Sequence, residues 1–124
     1  MKHKELTGQI IKSFYKVYNK LGYGFLEKVY ENALKTELRK SNIQCYSQHP
    51  IKIYYDQKVI GEYFADLIVE EKVIIELKVS KSLSKANEYQ LINYLKATDI
   101  EVGILFNFGK KPQFRRKIFT NNHQ

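Results

Sequence analysis

The stretch FADLIVEEKVIIELKV, from Phe64 to Val79, consists of two apolar runs joined by the charged segment EEK. Two β-rich runs around a short polar segment are typical of an antiparallel strand pair. The second run is mostly apolar, yet it carries Glu76 and Lys78 two positions apart. Because side chains alternate between the two faces of a strand, Ile74, Glu76 and Lys78 are predicted to point the same way. The pattern therefore puts two charges into a strand that otherwise suits a protein interior.

The first run of this stretch adds a second carboxylate to the same face. Phe64, Asp66 and Ile68 alternate with their neighbours, and a three-residue EEK loop would set Asp66 opposite Glu76. Like charges that face each other across a strand pair are destabilising, so a bound cation is expected to offset them. A hard divalent cation on the two carboxylates, with Lys78 beside it, is one interpretation. The other is a solvated polar face without consequence, and a loop of two or four residues would separate the carboxylates altogether.

Hydrophobic spacing outside this stretch predicts further helices and strands. A helical stripe from Glu5 to Leu21 predicts the first helix, and GFLEKVYENALKTELRK predicts a second helix after Gly22 and Gly24. From Ile43 onward the pattern changes to short β-rich runs, among them IKIYY, VIGEYFADLIV and VIIELKV. The segment SLSKANEYQLINYLKAT, with Ser84 as N-cap, predicts a third helix, and EVGILFNF predicts a buried strand.

The predicted fold class is α/β, in the form of an α+β mixed sheet flanked by helices. The predicted order is α-α-β-β-β-β-α-β, with an antiparallel meander before the third helix. A strand, a crossover helix and a second strand imply one parallel, right-handed connection. The basic tail KKPQFRRKIF adds an edge strand or stays loose. Because neither a repeat nor a linker interrupts the chain, residues 1–124 are expected to form a single domain.

Composition narrows the classes of protein to consider. A hydrophobic fraction of 44% is enough to fill one core, and a net charge of +8 favours a polyanionic partner. Cys45 has no second cysteine for an internal disulfide, and His3, His49 and His123 are too scattered for a zinc-type cluster. A reducing, cytoplasmic setting is therefore expected. The N-terminal residues carry charge every few positions, so neither a signal peptide nor a membrane span is predicted there.

Two helices carry polar residues where packing would favour apolar ones. At about 100° per residue, Glu27 falls within the apolar arc of the second helix and Glu31 falls at its edge. Glu27 is either aimed at a site on the core side or is a first-turn glutamate that the helix dipole favours. Gln90 and Tyr94 lie one turn apart on the third helix, where they present an amide and a phenol together or form ordinary surface.

The chain resembles the bacterial and archaeal GxxExxY protein family, a branch of the PD-(D/E)XK nuclease superfamily. The resemblance covers nearly the whole chain and implies a restriction-endonuclease-like core. It rests on three motifs: GFLEKVY with Gly24, Glu27 and Tyr30, FADLIVEEKVIIELK with Asp66, Glu76 and Lys78, and QLINYL with Gln90 and Tyr94.

The resemblance implies roles for these positions. Asp66 and Glu76 match the metal-binding carboxylates, and Glu27 matches the helix glutamate that completes the metal shell. Lys78 matches the lysine that helps to activate water and to stabilise charge on the phosphate. The implied activity is phosphodiester hydrolysis assisted by Mg²⁺ or Mn²⁺, with DNA or RNA as substrate.

The third motif lies on the third helix, and two positions of the chain differ from the family pattern. Gln90 and Tyr94 match a Gln-x-x-x-Tyr motif whose residues help to place the metal site and the nucleic-acid strand. Ala65 stands before Asp66 where the superfamily often has proline, which has no chemical role there. Asn87 stands where the family often has histidine, which puts a base or ligand role at that position in doubt.

Basic residues in the second half of the chain could follow a phosphate backbone, with Phe114 free to stack on a base. They are Lys81, Lys85, Lys110, Lys111, Arg115, Arg116 and Lys117. Two alternatives stay open: a nucleic-acid-binding module of the same fold that does not cut, and an interaction protein that uses its tyrosine-rich surface. A small nuclease that cuts both strands would benefit from a two-fold symmetric homodimer.

Overall fold

A computed structural model describes residues 2–120 of the chain. Three helices and five strands make up this part, and the predicted mixed sheet with flanking helices is confirmed. In chain order they are α1 (Lys4–Leu21), α2 (Glu27–Lys40), β1 (Cys45–Tyr55), β2 (Lys58–Val69), β3 (Val73–Lys78), α3 (Lys85–Lys96), β4 (Val102–Phe108) and β5 (Pro112–Ile118).

The element order differs from the predicted one in a single respect. Three strands precede α3 and two follow it, whereas four and one were predicted. Lys58–Val69 forms one continuous strand, as the run VIGEYFADLIV predicts, and pairs with β1 along most of its length, across Gly61 and one irregularity. The basic tail supplies the fifth strand, since β5 pairs with β4 along its whole length and closes one edge of the sheet.

The strands lie in the order β1-β2-β3-β4-β5. The pair formed by β3 and β4 is parallel, as a strand-helix-strand connection requires, and the other three pairs are antiparallel. The pairing of β2 with β3 is short: Leu67–Val69 pair with Val73–Ile75, and the ladder ends there. The long β1–β2 hairpin therefore extends past the last residue that pairs with β3.

Helices cover both faces of the sheet and bury two apolar clusters. The helices α1 and α2 pack on one face, where Phe14 stacks on Phe106 with ring centroids 4.3 Å apart. The helix α3 covers the other face. It approaches β4 closely because Gly103 has no side chain: a Cβ atom there would lie 2.7 Å from a Leu91 methyl carbon. Each fully buried aliphatic or aromatic side chain contributes about 1.5–3 kcal/mol, so these two clusters hold the sheet between the helices.

The helix ends are defined by local chemistry that the sequence partly revealed. The backbone of Gly22 has a φ of 70°, which ends α1, and the Tyr30 hydroxyl donates to the Gly22 carbonyl at 2.7 Å. Ser84 caps α3 as predicted, because its hydroxyl accepts from the Asn87 backbone while the Asn87 side chain accepts from the Ser84 backbone. Within residues 2–120, no helix has both the length and the apolar content needed to cross a membrane.

Candidate active site

The candidate site lies where β2 and β3 diverge beyond Leu67 and Ile75. The three-residue turn sets the predicted register of Leu67 with Ile75, and continuing this register by one residue brings Asp66 opposite Glu76. Beyond Leu67 and Ile75, side-chain hydrogen bonds take the place of backbone pairing between the two strands. The Asp66 backbone N–H donates to Glu76 Oε2 at 2.9 Å, and the Leu77 N–H donates to Asp66 Oδ2 at 2.8 Å. Both side chains are thereby oriented by the backbone of the opposite strand.

Burial raises the pKa values of both carboxyl groups. Glu76 is only 5% exposed, and burial followed by the nearby Asp66 charge raises its pKa to about 8. Burial also raises the pKa of Asp66, while the hydrogen bond from Leu77 opposes that rise. Without a cation, the site therefore favours a bound proton at neutral pH. A pair of carboxyl groups with raised pKa values in a partly open position is typical of a functional site.

Glu27 and Lys78 lie near this pair, since both of their charges act on the pKa of Glu76. Glu27 is the first residue of α2 and is exposed overall, but partial burial of its carboxyl raises its pKa. The Lys78 ammonium counters this rise for Glu27 and likewise lowers the pKa values of Asp66 and Glu76, where burial is again the larger effect. Among the described residues, Lys78 forms no direct salt bridge with any of the three carboxylates. Its charge thus acts on the whole group.

Two residues that the sequence did not single out as site residues, Gln48 and Glu31, act on the pKa of Asp66 in opposite directions: the Gln48 amide lowers it and the Glu31 charge raises it. Gln48 lies on β1 with a left-handed φ of 51°, and its side chain donates to Glu31 Oε1 at 2.9 Å. Glu31 is buried one turn after Glu27, and its other oxygen accepts from Lys28 Nζ at 2.8 Å. The spacing of Glu27 and Glu31 was the available signal for Glu31. Nothing in the local sequence distinguishes Gln48, because its position depends on an irregular strand conformation.

The two predicted α3 residues differ in how closely they approach the site. Tyr94 is 5% exposed, and burial, followed by the Glu76 charge, raises its pKa to about 12. Its ring lies 5.5 Å from that of Tyr63 on β2. Gln90 is half-buried one turn earlier, and within the described chain no hydrogen bond links it to Asp66 or Glu76. The Asn87 side chain is used for capping α3, which explains a polar residue at that position without any role in the site.

The donor chemistry of the pair suits a hard divalent cation. Magnesium is commonly bound by one or two carboxylates, with water and substrate phosphates as the remaining ligands, and Asp66 with Glu76 offers such a pair. Among residues 2–120, however, no three His, Cys, Asp or Glu side chains already converge as a metal cluster. The three-carboxylate set with Glu27 stays a prediction. His123 lies outside the described residues, whereas His3 and His49 are within them and form no cluster.

Two residues of the basic tail make contacts within the protein. Successive side chains of β5 point to opposite faces of the sheet. Arg116 donates to the Lys2 carbonyl oxygen near α1, while Lys117 forms a salt bridge with Glu88 of α3 at 2.5 Å. The prediction of a free Phe114 was wrong. Its ring packs on the core, with its centroid 6.4 Å from the centroids of both Tyr15 and Phe106.

Comparison with known proteins agrees with this architecture. A family model described as the PD-(D/E)XK nuclease superfamily matches residues 4–117. The chain belongs to the PD-(D/E)XK nuclease superfamily. Members of this superfamily generally use divalent metal ions. The more specific GxxExxY assignment stays a prediction.

A solved structure shares the fold of this PD-(D/E)XK chain. The crystal structure of SSO0001 superposes with a TM-score of 0.56 at 21% sequence identity. The similarity covers 77% of this chain but only 50% of the other, so the two share the fold over about half of the SSO0001 chain. No curated protein matches the chain.

Proposed function

We propose that the protein is a metal-dependent nuclease that hydrolyses phosphodiester bonds of DNA or RNA. The observation that carries the proposal is the pair of hydrogen bonds between β2 and β3 at the site. The Asp66 N–H donates to the Glu76 carboxylate and the Leu77 N–H donates to the Asp66 carboxylate, which holds both carboxylates between the strands. A merely solvated strand face would leave Glu76 in water, whereas it is 5% exposed with a pKa raised to about 8 by burial. A buried carboxyl whose charged form is destabilised in this way is costly for the fold and is expected to serve a function.

The residues of the site divide the chemistry among them. Asp66 and Glu76, together with the nearby Glu27, would hold Mg²⁺ or Mn²⁺, which when bound polarises a phosphoryl oxygen and acidifies a water. Lys78 supplies the positive charge that stabilises negative charge developing on the phosphate. Tyr94 closes the buried side next to Glu76, where its hydroxyl stays protonated because burial raises its pKa.

A cleavage panel tests this function. Single- and double-stranded DNA and RNA are incubated with the purified protein in Mg²⁺, in Mn²⁺ and in a chelator. We expect divalent-dependent products with at least one substrate, and we expect none from Asp66→Asn. Glu71→Gln is the matched control, because it removes an exposed carboxylate from the turn of the same strand pair. Binding with a steep salt dependence but no product in either metal would favour the non-cleaving module.

An interaction surface for proteins is the second candidate, and one observation favours it. The distal half of the β1–β2 hairpin exposes large hydrophobic side chains beyond the region paired with β3, and the largest exposed patch of a soluble protein is often functional. These side chains are Tyr54, Tyr55, Val59, Ile60 and Tyr63. Complex formation with a protein in the absence of metal, together with no retention of nucleic acid, would favour this candidate.

The finer assignments belong to the same proposal. We place residues 1–124 in a single domain of the GxxExxY branch, acting in the cytoplasm on nucleic acid. A homodimer would suit cleavage of both strands of a duplex, and sedimentation of the free and nucleic-acid-bound protein measures the assembly.

A further inference from the structure

A cleft with a volume of about 470 Å³ opens beside the candidate site, in the range of ordinary ligand pockets. It lies between the α1–α2 loop, the segment that follows β3 and the β4–β5 turn. We call it the loop cleft and define it by Tyr23, Phe25, Leu26, Val79, Lys81 and Lys110. It adjoins the site directly through the chain, since Leu26 precedes Glu27 and Val79 follows Lys78.

The loop cleft exposes apolar side chains that the core does not use. Tyr23 is 57% exposed, Phe25 47% and Leu26 79%, although these residues are neighbours in one short loop. The Phe25 ring lies edge-on to Tyr30 at 6.0 Å, so one edge is packed while the rest of the ring stays accessible. A contiguous group of exposed rings is unfavourable in water unless it binds something.

Two tyrosine hydroxyl groups hold the walls of the loop cleft in place. The Tyr30 hydroxyl donates to the Gly22 carbonyl and accepts from the Phe25 N–H at 3.2 Å, which fixes the α1–α2 loop. The Tyr18 hydroxyl donates to carbonyl oxygens of the β4–β5 turn, 2.9 Å from Gly109 and 2.8 Å from Lys110. The cleft is therefore formed before any ligand arrives, which lowers the entropic cost of binding.

The third wall is held by a side chain of the central sheet. Asn107 is fully buried, and its amide group accepts from the Ser80 N–H and donates to the Ser80 carbonyl, each at 2.9 Å. Gly109 lies so close that a Cβ atom there would come within 2.1 Å of the Ser80 oxygen. This contact fixes the backbone between Lys78 and Lys81, and with it the position of the cleft relative to the site.

The charge of the loop cleft selects an anionic ligand. Lys81 and Lys110 are exposed, and neither forms a salt bridge within residues 2–120. None of the described residues that line the cleft is acidic. Aromatic faces next to lysines are the combination by which proteins hold single-stranded nucleic acid, with bases stacked on rings and phosphates near the charges.

We propose that the loop cleft binds an unpaired nucleotide next to the scissile phosphate, so that the protein prefers single-stranded or frayed nucleic acid to continuous duplex. This inference rests on the proposed nuclease function. A base inside a duplex is already stacked on both faces and cannot reach Tyr23 or Phe25, whereas an unpaired base can. The lysines then contact its phosphate whichever sugar it carries.

Binding in chelator separates this inference from catalysis. Fluorescence anisotropy measures the affinity of the full chain for a labelled single-stranded oligonucleotide and for its duplex. We expect Tyr23→Ala/Phe25→Ala to weaken single-strand binding roughly tenfold or more and to change duplex binding little. Tyr54→Ala/Tyr55→Ala is the matched control, because it removes two exposed tyrosines from the tip of the β1–β2 hairpin. Tyr23→Ala alone is the safeguard, since Phe25 also contacts Tyr30 and its loss could disturb the loop.

The lysines give an independent measurement. Lys81→Ala/Lys110→Ala should reduce the salt slope of single-strand binding by roughly 1.4, since each lost phosphate contact contributes about 0.7 for a single strand. Lys4→Ala/Lys12→Ala removes the same charge from exposed positions of α1 and should change the slope less.

The outcomes distinguish the nucleotide site in the loop cleft from the nuclease function. Loss of single-strand affinity confined to the cleft variants supports the loop cleft as a nucleotide site. Parent-like affinity and salt slope in both cleft variants, with divalent-dependent cleavage intact, would overturn the loop cleft and leave the nuclease function standing. Equal losses on single strand and duplex would overturn the preference for unpaired nucleotides. A parent protein that neither binds nor cuts nucleic acid would overturn both.

Discussion

The two ends of the β2–β3 pair are made of the same strands but have opposite properties. Next to the turn, Leu67–Val69 face Val73–Ile75, and each of these six side chains is at most 2% exposed. At the other end the strands diverge, and the carboxylates of Asp66 and Glu76 take over the backbone hydrogen bonds. The turn end is held by backbone pairing between apolar residues, whereas the site end is held by hydrogen bonds to two carboxylates.

This difference shows which end of the strand pair contains groups whose burial is energetically unfavourable. At the turn end, burial of apolar side chains stabilises the pair. At the site end, burial raises the pKa values of two carboxyl groups, so their charged forms are destabilised there. The apolar end holds the strands together, and the charged end is free to carry chemistry. Substitutions at the two ends should therefore affect different measurements.

The largest expected effect is the loss of cleavage on substitution at the site end. Asp66→Asn and Glu76→Gln keep the shape of each side chain but remove ligand charge, and Lys78→Ala removes the nearby cation. Each should lower a divalent-dependent cleavage rate by at least about a hundredfold, the order seen when one transition-state charge stabiliser is lost. Initial rates and circular dichroism spectra of the variants are compared with the parent. Cleavage at the parent rate in Asp66→Asn/Glu76→Gln would assign the activity to another site or to a contaminant.

A substitution at the turn end should have the opposite signature. Ile75 is fully buried, so Ile75→Ala should lower the free energy of unfolding by about 3 kcal/mol and the melting temperature by roughly ten degrees. Well below its melting temperature, the variant should cut at the parent rate. Denaturant unfolding and initial rates check both statements. Loss of cleavage without a change in stability would show that the two ends are not separable.

The same comparison explains which features the sequence could predict. The register of Asp66 and Glu76 follows from the length of the EEK loop and the alternation of side chains, both of which are local. The Ser84 cap is local as well. Gln48 could not be predicted, because its left-handed backbone and its contact with Glu31 depend on how α2 packs near β1.

Errors arose where tertiary context decides the outcome. Phe114 was expected to be free because its neighbours are basic, but β5 adds to the sheet and turns this ring toward α1 and the core. Five strands were predicted and five are present, but their division around α3 was wrong, because the basic tail pairs with β4 and adds a second strand after this helix. The exposed aromatic residues near the site, Tyr23 and Phe25, lie in the loop before α2. Phe25 was predicted to belong to the second helix, but that helix begins only at Glu27.

The pH dependence of stability should also separate the two ends. Burial raises the pKa of Glu76 to about 8, so between its ordinary value near 4.5 and about 8 the folded protein holds a proton that the unfolded chain has lost. The free energy of unfolding of the metal-free protein should therefore fall as pH rises through this window, by at most about 1.4 kcal/mol per unit. Chelator-treated Glu76→Gln should show a shallower decline, whereas Glu71→Gln at the turn should follow the parent. Parallel pH profiles for Glu76→Gln and the parent would remove Glu76 as the source.

The smallest effect, and the most direct test of a cation at the diverging end, is a thermal shift. A cation present at ten times its dissociation constant adds ~1.4 kcal/mol if it binds only the folded chain. For a domain of this size the melting temperature should rise by about five degrees in Mn²⁺, relative to chelator. The shift should vanish in Asp66→Asn and persist in Glu71→Gln, because only the first substitution removes a carboxylate from the gap between β2 and β3. Equal shifts in Asp66→Asn and the parent would mean that the metal binds elsewhere, and the raised pKa of Glu76 would then reflect burial without a bound cation to explain it.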